Sequence, residues 1–190
     1  MRQRINRSIV TRVLIVVLFA ILLLTLRLAW IHHFEFADNP PEAKNGELDL
    51  RNWDFEQDGI VTLSGEWAFY PYTFLQEVPT ADAAITKKII PVPGDWSPYL
   101  NEDDHSPYGY GTYHLRIFVE PSLDKTYSVR IPSVRSTSAL YINGQLAGNS
   151  GQVAETAEEN VDRNIPYTSS TIRVDESGII DIVLQVANYA

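Results

Sequence analysis

The chain has 190 residues, with 15 basic and 24 acidic side chains and no cysteine. From Phe34 onward ten basic and all 24 acidic residues remain, so this part carries a net charge of −14. Nucleic acids and other polyanions need Lys and Arg to neutralise them, so they are poor ligands for this part. Without cysteine, disulfides, thiol catalysis and zinc–thiolate sites are excluded.

An apolar run from Val13 to Leu26 is interrupted only by Thr25 and follows Arg2, Arg4, Arg7 and Arg12. A spanning helix needs roughly 20 apolar residues, and the run reaches that length once Arg12 and Arg27 are allowed at its ends. Residues preceding the candidate cleavage points are not the small ones that a signal peptidase requires. The pattern therefore favours an uncleaved signal anchor at 13–31 over a cleaved signal peptide.

Arginines on the N-terminal side predict the orientation of this anchor. Lys and Arg stay in the cytoplasm, which makes residues 1–12 a cytoplasmic basic tail and places everything after Trp30 outside the cell membrane. Residues 32–46 are expected to form a juxtamembrane linker, stiffened by Pro40 and Pro41. The predicted location is a bacterial cell membrane with an extracytoplasmic domain at 47–190.

The remaining sequence alternates over short runs separated by turn residues, which is typical of a β-sandwich. Residues 112–119 place Tyr113, Leu115, Ile117 and Val119 on one face, and residues 180–186 repeat the alternation. Asn143-Gly144 predicts a tight hairpin. Strand-like residues also occupy 60–63, and residues 154–162 are expected to form a short surface helix.

Residues 73–111 form a long irregular connection that contains five prolines and several aromatic residues. Sugars and other small polar ligands are often held by flat aromatic faces and a few polar groups. Trp96, Tyr99, Tyr108, Tyr110 and Arg135 are therefore the candidate ligand-binding residues. Trp96 has a second interpretation, as a plug that packs one end of the sandwich. The spacing of the acidic residues gives no reason to pair any two carboxylates for catalysis, and the sequence lacks a calcium loop and a nucleotide-binding motif. No catalytic residue, metal site or cofactor is therefore predicted.

Five segments of the sequence, in order, resemble a known domain. They are GEWAFYP (65–71), VPGDW (92–96), GYGTYHLRI (109–117), ALYINGQLAGNSG (139–151) and DIVLQVANY (181–189). Together they resemble the jelly-roll, galactose-binding-like domain at the front of bacterial seven-transmembrane receptors with diverse intracellular signalling modules. They are also similar in outline to the sugar-binding domain of family two glycoside hydrolases. The resemblance adds Asn188, in a V-x-N position, to the candidate ligand-binding residues.

This resemblance implies an all-β jelly-roll sandwich that follows one transmembrane helix and senses a small polar or carbohydrate-like ligand for a membrane receptor. Such domains continue with a further strand, so we expect the chain to be truncated at its C-terminus and the signalling output to lie beyond it. The chain itself is not expected to be an enzyme, and a homodimer is left open. The alternatives are an accessory carbohydrate-binding domain of a surface glycoside hydrolase and a structural spacer without a ligand.

Overall fold

The computed structural model of the protein describes residues 7–34, 40–79, 85–101, 103, 105–122, 124–132, 134, 136–163 and 165–189. Its helices are α1 (Arg7–Phe34) and α2 (Ser97–Leu100). Its strands are β1 (Glu47–Asp49), β2 (Gly65–Pro71), β3 (Lys88–Val92), β4 (Gly109–Phe118), β5 (Thr126–Tyr127), β6 (Arg130–Ile131), β7 (Thr137–Ile142), β8 (Gln145–Ser150), β9 (Tyr167–Thr168), β10 (Ile172–Arg173) and β11 (Ile179–Asn188).

Helix α1 contains the apolar run and leaves it uncovered. Its window Val10–Ala29 is long and apolar enough to cross a membrane, and none of that window is buried against the rest of the chain. In the core of a soluble protein, a helix of the same composition would bury these side chains by packing. Either a membrane span or a signal sequence has these properties, and α1 extends beyond the predicted 13–31 at both ends.

One large sheet organises the remaining chain. Its strand order is β3-β2-β4-β11-β7-β8, with β1 paired in parallel to β4 and all the other neighbours antiparallel. The central pair, β4 and β11, is in register over ten residues from Gly109↔Asn188 to Phe118↔Ile179. These two strands therefore form the rigid centre on which both faces of the sheet are built.

Alternation along β4 and β11 gives the sheet its two faces. Leu115, Ile117, Ile180 and Ile182 lie on one face and are at most 4% exposed. They belong to the main hydrophobic cluster, as the period-2 pattern predicts. Residues of even number in β4 and of odd number in β11 lie on the opposite face, which is called the back face below.

A second, thinner layer covers the core face. It consists of two short antiparallel pairs, β5 with β10 and β6 with β9, whose apolar residues join the same hydrophobic cluster. The all-β, two-layer architecture that the sequence predicts is therefore present, with antiparallel pairing throughout except at β1. The finer jelly-roll connectivity stays a prediction.

Residues 72–79 cross the back face and are called the strap below. The Thr112 hydroxyl donates to the Thr73 carbonyl (2.6 Å) and accepts from the Leu75 amide (3.1 Å). Gln185 Nε2 donates to the Leu75 carbonyl at 3.0 Å. Thr112 and Gln185 are buried under the strap. Because each buried polar group has a partner there, the strap can cover polar strand residues without a large desolvation cost.

The last residues of the predicted linker contact the start of β2. Ala43 is 2% exposed and bridges Gly65 at the start of β2. The Ala43 amide donates to the Ser64 carbonyl and its own carbonyl accepts from Glu66, each at 2.8 Å. The end of the predicted linker is thus packed into the sheet.

Two local predictions are wrong, and a third is confirmed. Residues 154–162 form turns rather than a helix, because Gln152 and Val161 exchange two backbone hydrogen bonds of 3.0 Å. A helix of that length would hold these ends roughly 13 Å apart. Residues 60–63 are not a strand, although Val61 and Leu63 pack on the core. Asn143 (φ 48°) and Gly144 (φ 77°) form the predicted hairpin turn between β7 and β8, with the positive φ angles of a type I′ turn.

Candidate ligand-binding surface

Trp96 is a packing residue. Its side chain is 8% exposed, and its ring stacks on Tyr113 with centroids 6.4 Å apart and an interplanar angle of 12°. Phe69 lies 5.9 Å from Trp96 and 4.9 Å from Tyr113, so the three rings form a triangle, and Trp96 Nε1 donates to the Pro107 carbonyl at 3.2 Å. Of its two sequence interpretations, the structure supports the plug of the sandwich end. Burial of the indole against these two rings leaves little of its surface for a ligand.

Asn188 and Tyr99 also hold structure together. Asn188 Nδ2 donates to the Pro107 carbonyl at 3.0 Å, the same oxygen that Trp96 contacts. Together these two donors fix the loop before β4 against the end of β11. Tyr99 packs partly buried against the cluster that contains Trp96, and its carbonyl accepts from Lys88 Nζ at 2.8 Å.

Tyr110 lies on the back face, where it pairs with Ala187. It is therefore on the opposite side of the sheet from Tyr113, the ring on which Trp96 stacks. The structure thus separates Trp96 from Tyr110, which the sequence places in one loop. Trp96 packs on Tyr113, and strand alternation puts Tyr110 and Tyr113 on different faces of the sheet. Tyr108 is 55% exposed just before β4, and Arg135 lies outside the described residues.

Around Tyr110 the structure assembles aromatic side chains that the sequence analysis did not select. Phe74 lies with its ring centroid 4.8 Å from that of Tyr110 at an interplanar angle of 40°. Tyr72 meets Tyr110 edge to face at 5.7 Å and 84°, and its own side chain is 48% exposed. Tyr72 and Phe74 begin the strap, so the same segment that covers the back face also supplies this surface. We call Tyr72, Phe74, Tyr110 and Tyr189 the aromatic cluster.

Tyr189 joins the cluster from the end of β11. Its hydroxyl donates to the carbonyls of Glu155 (2.5 Å) and Ala154 (3.3 Å). These bonds hold the loop 152–161 beside the aromatic cluster.

The electrostatic surroundings of the cluster are negative. Burial raises the pKa of the Tyr110 phenol, and the charge of Glu155 raises it further. Burial likewise comes first in raising the pKa of Tyr189, followed by Tyr110 and the two glutamates. Both phenols therefore keep their protons in alkaline solution beyond the ordinary pKa near 10, and they remain hydrogen-bond donors at neutral pH.

The backbone at Tyr72 is unusual. Its φ is +50°, a region that bulky residues seldom adopt, and its amide donates to the Tyr110 carbonyl at 2.9 Å. This conformation turns the chain sharply from the end of β2 into the strap. The Tyr72 ring is thereby held next to Gly109, where an added Cβ would come within 3.2 Å of it.

A second polar group on the back face is structural. Arg116 Nε and Nη2 donate to the two carboxylate oxygens of Asp181 at 2.9 and 3.0 Å, and His114 Nε2 lies 2.9 Å from Asp181 Oδ1. An ionised carboxylate only accepts, so His114 carries its hydrogen on Nε2. Burial would raise the pKa of Asp181, but these partners outweigh it and lower the pKa. A carboxylate that is fully paired in this way is a poor general base, and it ties β4 to β11.

Two further carboxylates, those of Asp95 and Glu66, accept hydrogen bonds from backbone amides in turns. Asp95 Oδ1 accepts from the amide (2.9 Å) and the hydroxyl (2.6 Å) of Ser97 at the start of α2. Glu66 Oε2 accepts from the Asn45 amide at 3.0 Å. An open depression beside β1 is lined by Glu42, Lys44, Glu47, Asp49, Arg51 and Phe118. It carries charges of both signs, and Arg51 pairs with Asp49 at 2.6 Å. The aromatic cluster, which offers exposed ring surface, is the better candidate for a ligand.

Comparison with known proteins gives matches among solved structures only. No family model matches the sequence, and no curated protein matches it. A β-glucuronidase from Faecalibacterium prausnitzii is 18% identical with a TM-score of 0.49, over 68% of this chain and 21% of that one. A β-glucuronidase from Ruminococcus gnavus is 17% identical with a TM-score of 0.45, over 66% and 20%.

A GH2 β-galacturonidase from Eisenbergiella tayi bound to galacturonate is 17% identical with a TM-score of 0.43, over 66% of this chain and 18% of that one. It belongs to the glycoside hydrolase family whose sugar-binding domain the sequence motifs resemble. The chain spans about a fifth of the length of these solved structures. At this identity and TM-score the matches assign neither an activity nor a ligand to the chain.

Proposed function

We propose that the chain is a membrane-tethered, extracytoplasmic ligand-binding module of a bacterial membrane receptor. Its jelly-roll domain binds a small polar, carbohydrate-like ligand, and α1 anchors it with the N-terminus in the cytoplasm. The chain contributes binding and no catalytic step. The observation that carries the proposal is the aromatic cluster, in which a half-exposed Tyr72 stands edge-on to Tyr110 at the end of the rigid central sheet.

Aromatic clusters of this kind suit ligands that have one apolar face and several hydroxyls. The rings offer flat apolar area, while the phenol groups of Tyr72 and Tyr110 donate and accept hydrogen bonds at their rims. Because Tyr110 belongs to β4, in the middle of the sheet, its ring has a fixed position before a ligand arrives. Such preorganisation lowers the entropic cost of binding.

The tether supports the receptor context. An uncovered helix of membrane length precedes the domain, and the chain enters the sheet at Ala43, only nine residues after the end of α1. The strap begins at the other end of β2 from the Ala43–Gly65 bridge, so a ligand that changes the strap would be linked to the membrane attachment through this strand. As an accessory domain of a surface glycoside hydrolase, the chain would bind its ligand at the same surface. The receptor and accessory-domain proposals differ only in what ligand binding causes.

Binding is tested on the full chain in detergent micelles with a panel of neutral mono- and disaccharides. Calorimetric affinity and melting temperature are measured for the natural chain, for Tyr72→Leu and for Ile60→Ala, a control at a 78% exposed apolar side chain away from the cluster. We expect saturable binding that Tyr72→Leu weakens and Ile60→Ala leaves unchanged. Ligand binding to the native state also raises the melting temperature.

Binding that both variants leave unchanged would place the ligand elsewhere, and absence of binding across the panel would favour the structural spacer. To separate receptor from accessory domain, the domain-to-membrane distance is measured in nanodiscs by energy transfer, with and without the bound sugar. A change in distance on binding supports sensing, whereas an unchanged distance supports a passive binding domain.

A further inference from the structure

We infer that the aromatic cluster takes a ligand that carries an ammonium cation, with Tyr72 and Tyr110 contacting the cation and Glu155 supplying the opposite charge. The inference rests on the proposed function, because it concerns the same surface and narrows its ligand class. It adds a positive charge to the ligand, which would make an amine-bearing ligand bind more tightly than a neutral carbohydrate of the same shape.

The geometry of the rings in the aromatic cluster suits a cation. Tyr72 and Tyr110 stand at 84° to each other with centroids 5.7 Å apart, and Phe74 lies 4.8 Å from Tyr110. Near-perpendicular rings form two walls of a corner. A cation in such a corner meets the negative face of one ring while the neighbouring wall excludes water, and this is how quaternary ammonium groups are recognised.

The charge of the neighbouring loop also favours a cation, independently of the rings. The loop that Tyr189 holds against the cluster carries Glu155, Glu158, Glu159 and Asp162, without Lys or Arg between residues 152 and 162. The three glutamates are exposed. The direction of the Tyr110 and Tyr189 pKa shifts agrees, since burial comes first and glutamates are the only charged groups among the other causes.

Together, the ring geometry and the acidic loop favour cations over the other ligand classes. An anionic sugar, such as a uronate, would meet Glu155 and the net charge of −14 carried from Phe34 onward. A neutral ligand would gain stacking area and hydrogen bonds, but no charge attraction from the acidic loop. A cation gains from both, and the gain falls with salt because the glutamates are exposed.

The test uses the full chain in detergent micelles at low ionic strength and two matched probes. Choline carries a trimethylammonium group, and 3,3-dimethylbutan-1-ol has the same shape with a neutral carbon in place of nitrogen. We expect choline to bind and its neutral isostere to bind at least roughly tenfold more weakly, as one well-formed cation–π corner allows. Glucuronate is expected not to bind.

Three variants locate the contribution of each group. Tyr72→Leu keeps an apolar side chain but removes a ring face, and Glu155→Gln removes a charge at nearly constant shape. Each is expected to weaken choline binding roughly three- to tenfold, with less effect on the isostere. Glu176→Gln, at an exposed acidic residue in the turn before β11, is the matched control and should change nothing.

The outcomes distinguish this inference from the proposed function. Equal binding of choline and its isostere, or choline binding insensitive to Glu155→Gln and Tyr72→Leu, overturns the cation requirement. If a neutral sugar binds through Tyr72 while choline does not, the inference fails and the proposed function stands. If neither a sugar nor choline binds, both fail.

Discussion

Two aromatic residues of the same predicted connection, Trp96 and Tyr110, have different environments in the structure. Trp96 is buried against Tyr113 on the core face, whereas Tyr110 lies on the back face beside Phe74 and Tyr72. This difference arises because Tyr110 and Tyr113 occupy positions of opposite parity in β4, so that their side chains leave the sheet on opposite faces. The buried ring of Trp96 contributes to the core, and the partly exposed ring of Tyr110 is the candidate for ligand contact.

This division predicts opposite phenotypes for two alanine variants. Trp96→Ala should lower the free energy of unfolding by about 3–5 kcal/mol, because it opens a cavity beside Phe69 and removes one of the two hydrogen bonds to the Pro107 carbonyl. Tyr110→Ala should cost less in stability and weaken ligand binding by about 1–3 kcal/mol if the ring stacks on the ligand. Denaturant melts and affinities of both variants check this. Equal loss of stability with unchanged affinity per folded molecule would make Tyr110 a packing residue.

Asp181 gives a pH-dependent prediction. Its partners His114 and Arg116 lower its pKa against the effect of burial. A carboxyl with a lowered folded-state pKa stabilises the fold above its unfolded pKa of about 3.9 and loses that contribution as pH falls through the folded value. Asp181→Asn should therefore destabilise by about 1–2 kcal/mol at pH 7, allowing for the partial exposure of the pair.

The difference between Asp181→Asn and the natural chain should shrink as pH falls below about 4, where the natural carboxyl also becomes protonated. Urea melts from pH 7 to pH 2.5 measure it, with Glu176→Gln as the exposed acidic control. A difference that is constant over this range would show that the charge of Asp181 is irrelevant and that only its shape matters.

At the scale of elements, the segments that enter and leave β2 determine how the sheet is covered. Upstream, Ala43 bridges Gly65; downstream, the strap runs from Tyr72 over Thr112 and Gln185. Strand β2 thus connects the membrane-proximal segment to the aromatic cluster. A displacement at either end has a direct mechanical route to the other through one strand.

Gly65 makes the upstream connection possible, and its replacement gives the next prediction. Its φ is +113°, and a Cβ there would overlap the backbone of Ala43. Gly59 also has a positive φ of +81°, but nothing lies within 4 Å of a Cβ built on it. Gly59→Ala therefore measures the backbone cost alone, about 1 kcal/mol, and Gly65→Ala should cost clearly more.

Thermal and urea melts of the two glycine variants give the comparison, and hydrogen exchange of the Ala43 amide locates the effect. Faster exchange in Gly65→Ala but not in Gly59→Ala is expected, since the Ala43 amide donates to Ser64 next to the altered position. If both variants lose equal stability, the close approach of Ala43 to Gly65 contributes nothing and the linker is only loosely attached.

For the whole molecule, the contrast between α1 and the β domain is the main organising feature. Between Val10 and Ala29 every side chain of α1 is exposed, whereas the domain buries an apolar core on one face of its sheet. An uncovered apolar helix of this length is costly in water and stable in a bilayer. For a membrane span, the arginines before the apolar run predict that the N-terminus stays in the cytoplasm.

The orientation is tested by fusing a reporter after residue 46. Alkaline phosphatase, which folds only outside the cytoplasm, should be active at this position, and a cytoplasm-dependent fluorescent reporter should not be. Replacing Arg2, Arg4, Arg7 and Arg12 by Gln should reduce this asymmetry, since these arginines carry the positive-inside signal. N-terminal sequencing of the mature protein should still find Arg2, and a mature protein that begins near Ala37 would identify a cleaved signal peptide.

Sequence by itself determined the features that repeat locally. The apolar run of α1, the alternation of Leu115 and Ile117 in β4, and the Asn143-Gly144 turn are each readable within a few residues, because period and turn chemistry act over that distance. The predicted helix at 154–162 failed since a tertiary pairing, Gln152 with Val161, closes the segment into a loop.

Only the tertiary structure decided where the candidate ligand surface lies. Tyr72, Tyr110, Glu155 and Tyr189 come from four separate segments, and strand pairing brings them together over as many as 117 residues of sequence. It likewise brought Asn188 to the Pro107 carbonyl. Contacts between distant segments depend on register and on which face a residue occupies, and neither property leaves a signal in the residues on either side.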